Sequence, residues 1–136
     1  MNSTIPRDLA GRIASTAAAI EGVRSAIVCG EDGSVLGSAR VEEPAREAAL
    51  ASFVAVRAES LPVDGDLRGM GKQLAGSNFN HMTIVGPRGE SALYNLVPGT
   101  YLSVRVAPGR SATTAGPLSE LVKRVAALHV STMRSS

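Results

Sequence analysis

Apolar positions repeat at helical spacing near the start of the chain. Ile5, Leu9, Ile13, Ala17 and Ile20 share one stripe, with Arg7, Asp8 and Arg12 turned away from it. The spacing predicts an amphipathic helix over residues 5–21, stopped near Gly22. Two short apolar runs follow in SAIVCGEDGSVLGSA, joined across Asp32-Gly33. Asp-Gly is a strong hairpin signal because the turn needs positive φ. The first run, Ala26 to Cys29, is apolar on consecutive residues, the pattern of a strand covered on both faces.

The middle segment PAREAALASFVAVRAESL, residues 44–61, predicts a second helix with Pro44 in its first turn. At about 100° per residue, Ala45, Ala49, Phe53 and Val56 form one apolar face. Leu50, Val54 and Leu61 form a second, with Arg46 and Arg57 between the two. A helix apolar on two sides is expected to be covered on two sides. The domain's own sheet accounts for one of them, and the other needs another surface. FNHMTIVG and SALYNLV then predict two strands joined through Pro87-Arg88-Gly89-Glu90, and Pro98-Gly99 leads into TYLSVRVA. In the last strand Leu102, Val104 and Val106 alternate with Tyr101, Ser103 and Arg105. A final helix is expected to open at Pro117, with Leu118, Leu121, Val122, Val125 and Leu128 as its stripe.

The predicted order is helix, two strands, helix, three strands, helix. Short connections imply an antiparallel sheet, and the doubly covered strand places helices on both sides of it. The expected fold class is α+β, a three-layer α/β/α domain with a five-stranded antiparallel sheet. It spans residues 5–130, with 1–4 and 131–136 as flexible tails. A chain of 136 residues holds one such domain without disulfide staples.

Charge and composition narrow the function. The net charge is +2 and Arg7, Arg12, Arg24, Arg40, Arg46 and Arg57 form no basic run. Phe53, Phe79, Tyr94 and Tyr101 are too dispersed for a base-stacking platform. Nucleic-acid binding is therefore not expected. No stretch approaches the ~20 apolar residues of a membrane span, and the first residues do not read as a signal peptide, so a cytoplasmic location is expected. Cys29 is the only cysteine and reads as a buried, inert thiol.

The stretch DLRGMGKQLAGS, residues 66–77, has the glycines and lysine of a phosphate cradle. It fails the template. A phosphate loop ending at Gly71-Lys72 needs glycine at 66, which is Asp66, and a hydroxyl at 73, which is Gln73. The segment follows a helix, not a strand, and reads as a turn with Lys72 in solvent. His81 and His129 lack partners at metal-ligand spacing, and no nucleophile elbow is present. Glu42 and Glu43 suit a helix start, where the dipole favours acidic groups. No catalytic residue, cofactor or metal is expected.

The element order, the hairpin and the strand PGTYLSVRVAPG together resemble the Roadblock family of small regulatory domains, of the dynein-light-chain type. Gly22, Val23, Ala26, Ile27, Val28, Asp32, Gly33, Val35 and Leu36 follow the family's first hairpin. The resemblance implies that the first and last helices share one face of the sheet and the middle helix takes the other. It implies a homodimer through the middle helix and third strand, with Leu50, Val54 and Leu61 meeting their counterparts and Phe79, His81 and Thr83 along the strand edge. A small Ras-like GTPase is the partner it implies, and on that hypothesis Arg46 and Arg57 are placed on the partner surface. Residues 62–78 depart from the pattern and suggest a short extra helix near 66–75. Few lysines against abundant arginine and alanine point to a bacterial protein. Two other readings remain open at this point: a structural dimerisation scaffold without a GTPase, and a stand-alone sensor with a ligand cavity.

Overall fold

The computed structural model describes residues 5–60, 81–86 and 89–135. Its elements run α1 (Arg7–Ala18), β1 (Val23–Gly30), β2 (Val35–Ala39), α2 (Pro44–Ser60), β3 (His81–Gly86), β4 (Gly89–Val97), β5 (Thr100–Val106) and α3 (Ser111–Ser135). The expected order and fold class hold. The strands form a single antiparallel sheet in the order β2-β1-β5-β4-β3, which leaves β2 and β3 as its edges.

Local chemistry sets the boundaries. Pro6 caps α1, so the helix starts later than its apolar stripe, and Ile5 is buried just ahead of it. Beyond α1 the chain turns at Gly22, whose φ of 96° suits glycine. The β1–β2 hairpin turns at Gly33, with φ of 86°. Asp32 braces that turn by accepting hydrogen bonds from the Ser34 N–H at 3.1 Å and the Ser34 hydroxyl at 2.7 Å. Those bonds hold the exposed Asp32 carboxyl below the ordinary carboxylate range.

Two boundaries differ from expectation. Pairing of Gly86 with Gly89 continues the β3–β4 ladder, so Gly89 and Glu90 belong to β4 rather than to the turn. The last helix opens at Ser111, before Pro117. Its first backbone bond runs from the Thr114 N–H to the Arg110 carbonyl at 3.0 Å. The hydroxyls of Thr113 and Thr114 donate to the same oxygen, which fixes the first turn upstream of the proline. The same helix continues to Ser135, through positions expected to form a tail.

Two cores lie on opposite faces of the sheet. Under α1 and α3, Ile13, Ala14 and Ala17 with Leu118 and Val125 pack on Val28, Tyr94, Leu102 and Val104. Under α2, Ala48, Ala51 and Ala55 pack on Ile27, Cys29, Leu93 and Tyr101. Alternate residues of β1 thus feed both cores, as its unbroken apolar run requires. The strict alternation of β5 sends Leu102, Val104 and Val106 under α1 and α3 and Tyr101 under α2. Each large side chain fully buried in this way contributes about 1.5–3 kcal/mol.

Close backbone approach fixes α1 against β2. A β-carbon on Gly37 would lie 2.5 Å from the Ala10 carbonyl carbon and 2.6 Å from the Gly11 nitrogen. Only glycine lets the helix sit this near the strand.

Candidate interaction site on the middle helix

The faces of α2 are arranged differently from the sequence reading. The face against the sheet is Ala48, Ala51, Ser52 and Ala55, a small-residue stripe at positions i, i+3, i+4 and i+7. The Ser52 hydroxyl turns back to donate to the Ala49 carbonyl at 3.0 Å, so its burial leaves no orphaned donor. Of the two larger rows, only Val54, among the described residues, packs partly against the sheet-side core. Phe53 is 58% exposed, Leu50 51% and Val56 46%, while Ala45 and Ala49 are exposed and Val54 is half-buried. The face expected to pack on the sheet, Ala45, Ala49, Phe53 and Val56, is therefore an outer face.

The physical reason lies in the helix–sheet spacing. Small side chains let α2 lie close over β1, β5 and β2, and Tyr101 and Leu93 fill the layer from below. A row containing Phe53 would hold the helix away. Arg46, Leu50, Phe53 and Arg57 occur at i, i+4, i+7 and i+11, a single outward stripe spanning about 16 Å of helix axis. Within it the Arg57 guanidinium sits 4.6 Å from the centre of the Phe53 ring. Such an exposed cation–π contact is worth about 0.5–1 kcal/mol and covers part of the ring.

Beside this stripe, Leu50 and Val54 line a groove of about 260 Å³ with Ala51 and Leu93. Glu47 and Arg105 close its end through an ion pair of 2.8 Å, which ties α2 to β5. On the other flank Phe53, Val56 and Arg57 border a groove that also touches Glu31 and Asp32 of the hairpin turn. These grooves open to solvent and are not enclosed cavities of the sensor kind.

Of the sequence-predicted site residues, Leu50 and Val54 come together on α2, and Arg46 and Arg57 stand at the two ends of the outward stripe. His81 and Thr83 lie on the edge strand β3, as expected, but on the sheet face opposite α2. His81 pairs with Tyr94 and stacks on it, with ring centres 5.2 Å apart. Thr83 pairs with Ala92 of the α1–α3 core. The β3 residue on α2's side is Met82, which packs against the α2 core. Leu61 and Phe79 lie outside the described residues, as does the glycine-rich stretch 66–77.

Cys29 is fully buried, and desolvation, with a smaller contribution from Asp32, pushes its thiol up to about 12. It is the inert thiol the sequence suggested. Among the described residues no cluster of His, Cys, Asp and Glu is placed to hold a metal ion. No described helix is long and apolar enough to cross a membrane.

No protein-family model matches the sequence, and no curated protein matches it significantly. Solved structures, by contrast, match along most of the chain. A Roadblock/LC7 domain from Streptomyces avermitilis aligns with a TM-score of 0.69 at 19% identity, over 85% of this chain and 92% of that one. The gliding protein MglB of Thermus thermophilus aligns at 0.61 and 18% identity, covering 90% and 92%. Myxococcus xanthus MglB aligns at 0.64 and 12% identity, covering 92% and 94%. With identities this low, the likeness is one of backbone architecture. The chain has the fold of the Roadblock/LC7 domain.

Proposed function

We propose that this protein is a non-catalytic homodimeric regulatory module that binds a small Ras-like GTPase and modulates it. The observation that carries the reading is the outward face of α2. Leu50, Phe53 and Val56 are each about half exposed on a helix already seated on its own sheet. Such a row on a soluble domain is the kind of surface that a second chain covers. In the dimer, Leu50 and Val54 meet their two-fold counterparts, and β3 lies at the sheet edge where two copies join. The regulatory role is supported by the fold shared with the Roadblock/LC7 domain and with MglB gliding proteins.

Regulation needs no residue inserted into the partner's active site. A surface that binds one arrangement of the GTPase switch loops better than another shifts their populations, and hydrolysis or exchange changes with them. Arg46 and Arg57 flank the apolar centre of the stripe and form the rim of the partner surface, where arginine is favoured.

The test uses a bacterial small Ras-like GTPase, loaded with GDP or with a non-hydrolysable GTP analogue. The reading predicts unequal binding to the two forms and a changed rate of hydrolysis or exchange. Arg46→Glu with Arg57→Glu should weaken the interaction. Equal binding in both nucleotide states, with no change in rate, would support a structural scaffold instead. No binding in either state would end the GTPase reading.

A further inference from the structure

The charges on α2 have a direction along the helix. Glu43, Leu50 and Arg57 recur at intervals of seven residues, close to two full turns, so an acid, an apolar residue and a base share one row. The Glu47 N–H donates to the Glu43 carbonyl at 3.1 Å, which holds Glu43 in the helical register just ahead of Pro44. All three side chains of the row are exposed. Neither Glu43 nor Arg57 makes a salt bridge among the described residues. At the amino end Glu47 holds Arg105 at 2.8 Å and Arg40 turns to the Ala18 carbonyl, while Arg24 and Arg46 border Glu43 without pairing with it. At the other end Glu31 and Asp32 border the groove beside Arg57 without pairing with it, and the guanidinium lies over Phe53 instead.

In the proposed dimer, two copies join at the β3 edge with both α2 helices on one face of the joined sheet. The two-fold axis that does this stands normal to the sheet and reverses every direction within its plane, so the two helices run antiparallel. Leu50 and Val54 border the groove over β4, the strand beside the β3 edge, and that is the side from which the second α2 arrives. We propose that the second copy docks on α2 with Leu50 against its own counterpart at the two-fold axis and Arg57 of each copy paired with Glu43 of the other. With Leu50 at the axis, positions equally far on either side of it meet. Those about 10 Å away along the helix carry opposite charges, so the row complements itself. A parallel pairing would set Arg57 on Arg57 and Glu43 on Glu43. Charge complementarity along this row thus selects a second copy of the chain, in one orientation and one register. The inference rests on the homodimer reading and adds the residues that make it specific.

The experiment measures the dimer dissociation constant of the full chain by sedimentation equilibrium at low salt. Arg57→Glu and Glu43→Arg should each weaken the dimer roughly tenfold or more, since each replaces two attractions by two repulsions. The two substitutions carried in one chain restore opposite charges at both ends, and that variant should dimerise about as tightly as the wild type. An equimolar mixture of the two single variants, one of them fluorescently labelled, should form the mixed dimer in preference to either homodimer, because both ends are then complementary. Both positions are exposed, and circular dichroism checks that each variant keeps its fold. A double variant as weak as the single ones, or a mixture that forms no mixed dimer, would overturn the pairing. A wild-type dimer that neither single substitution weakens would overturn it too and leave the homodimer reading standing. A wild type that is monomeric at every concentration would end both.

Discussion

The two faces of the sheet are covered in different ways. Under α1 and α3, large residues of helix and sheet share one core, Ile13 and Leu118 with Tyr94 and Leu102, although Leu128 further along α3 is 56% exposed. Under α2, the helix contributes the buried Ala48, Ala51 and Ala55 with the half-buried Val54 beside them, and the sheet supplies the bulk through Tyr101 and Leu93. The first arrangement completes a core. The second seats the helix with its small residues and turns Leu50, Phe53 and Val56 outward. In the proposed dimer, those large residues serve a surface beyond the domain.

This comparison can be broken most forcefully on the α1 side. Gly37→Val should destabilise the domain by about 3 kcal/mol or more in urea unfolding, because the new side chain meets the α1 backbone. A loss under 1 kcal/mol would mean that α1 can move away freely. Next, Leu118→Ala should cost about 3 kcal/mol, since a fully buried leucine leaves a cavity. On the α2 side Leu50→Asp should leave the far-ultraviolet dichroism of the helices and sheet intact while abolishing self-association. That variant tests the difference between the faces directly.

Smaller effects sharpen the picture. The thiol of Cys29 is raised from 9.0 to about 12, so the protonated form is the one favoured by folding. Its contribution to stability is complete below pH 9.0 and fades as pH climbs toward 12. A thiol reagent at pH 8 should accordingly label the unfolded chain and leave the native one unmodified. The smallest effect expected is at the Glu47–Arg105 pair, whose side chains are 29% and 51% exposed. Glu47→Gln should cost less than about 1 kcal/mol, as partly solvated pairs do.

Much of this architecture was legible in the chain. Asp32-Gly33 and Pro98-Gly99 marked their turns, and both glycines carry positive φ. The consecutive apolar residues Ala26 to Cys29 announced a strand between two layers. The orientation of α2 was not legible, because alanine is compatible with either environment and hydrophobic counting favours leucine and phenylalanine. The spacing of Ala48, Ala51, Ser52 and Ala55 was the available signal, masked by further alanines at 45 and 49. The start of α3 was hidden for a related reason: Pro117 is a strong local mark, while Thr113 and Thr114 act through the Arg110 carbonyl.

The central claim is that the outward face of α2 pairs with a second copy. Light scattering of the wild-type protein and of Leu50→Asp, across a range of concentrations, tests it most directly. The account predicts a stable dimer for the wild type and a folded monomer for the variant. A wild type that stays monomeric at every concentration, or a variant that stays dimeric, would contradict it.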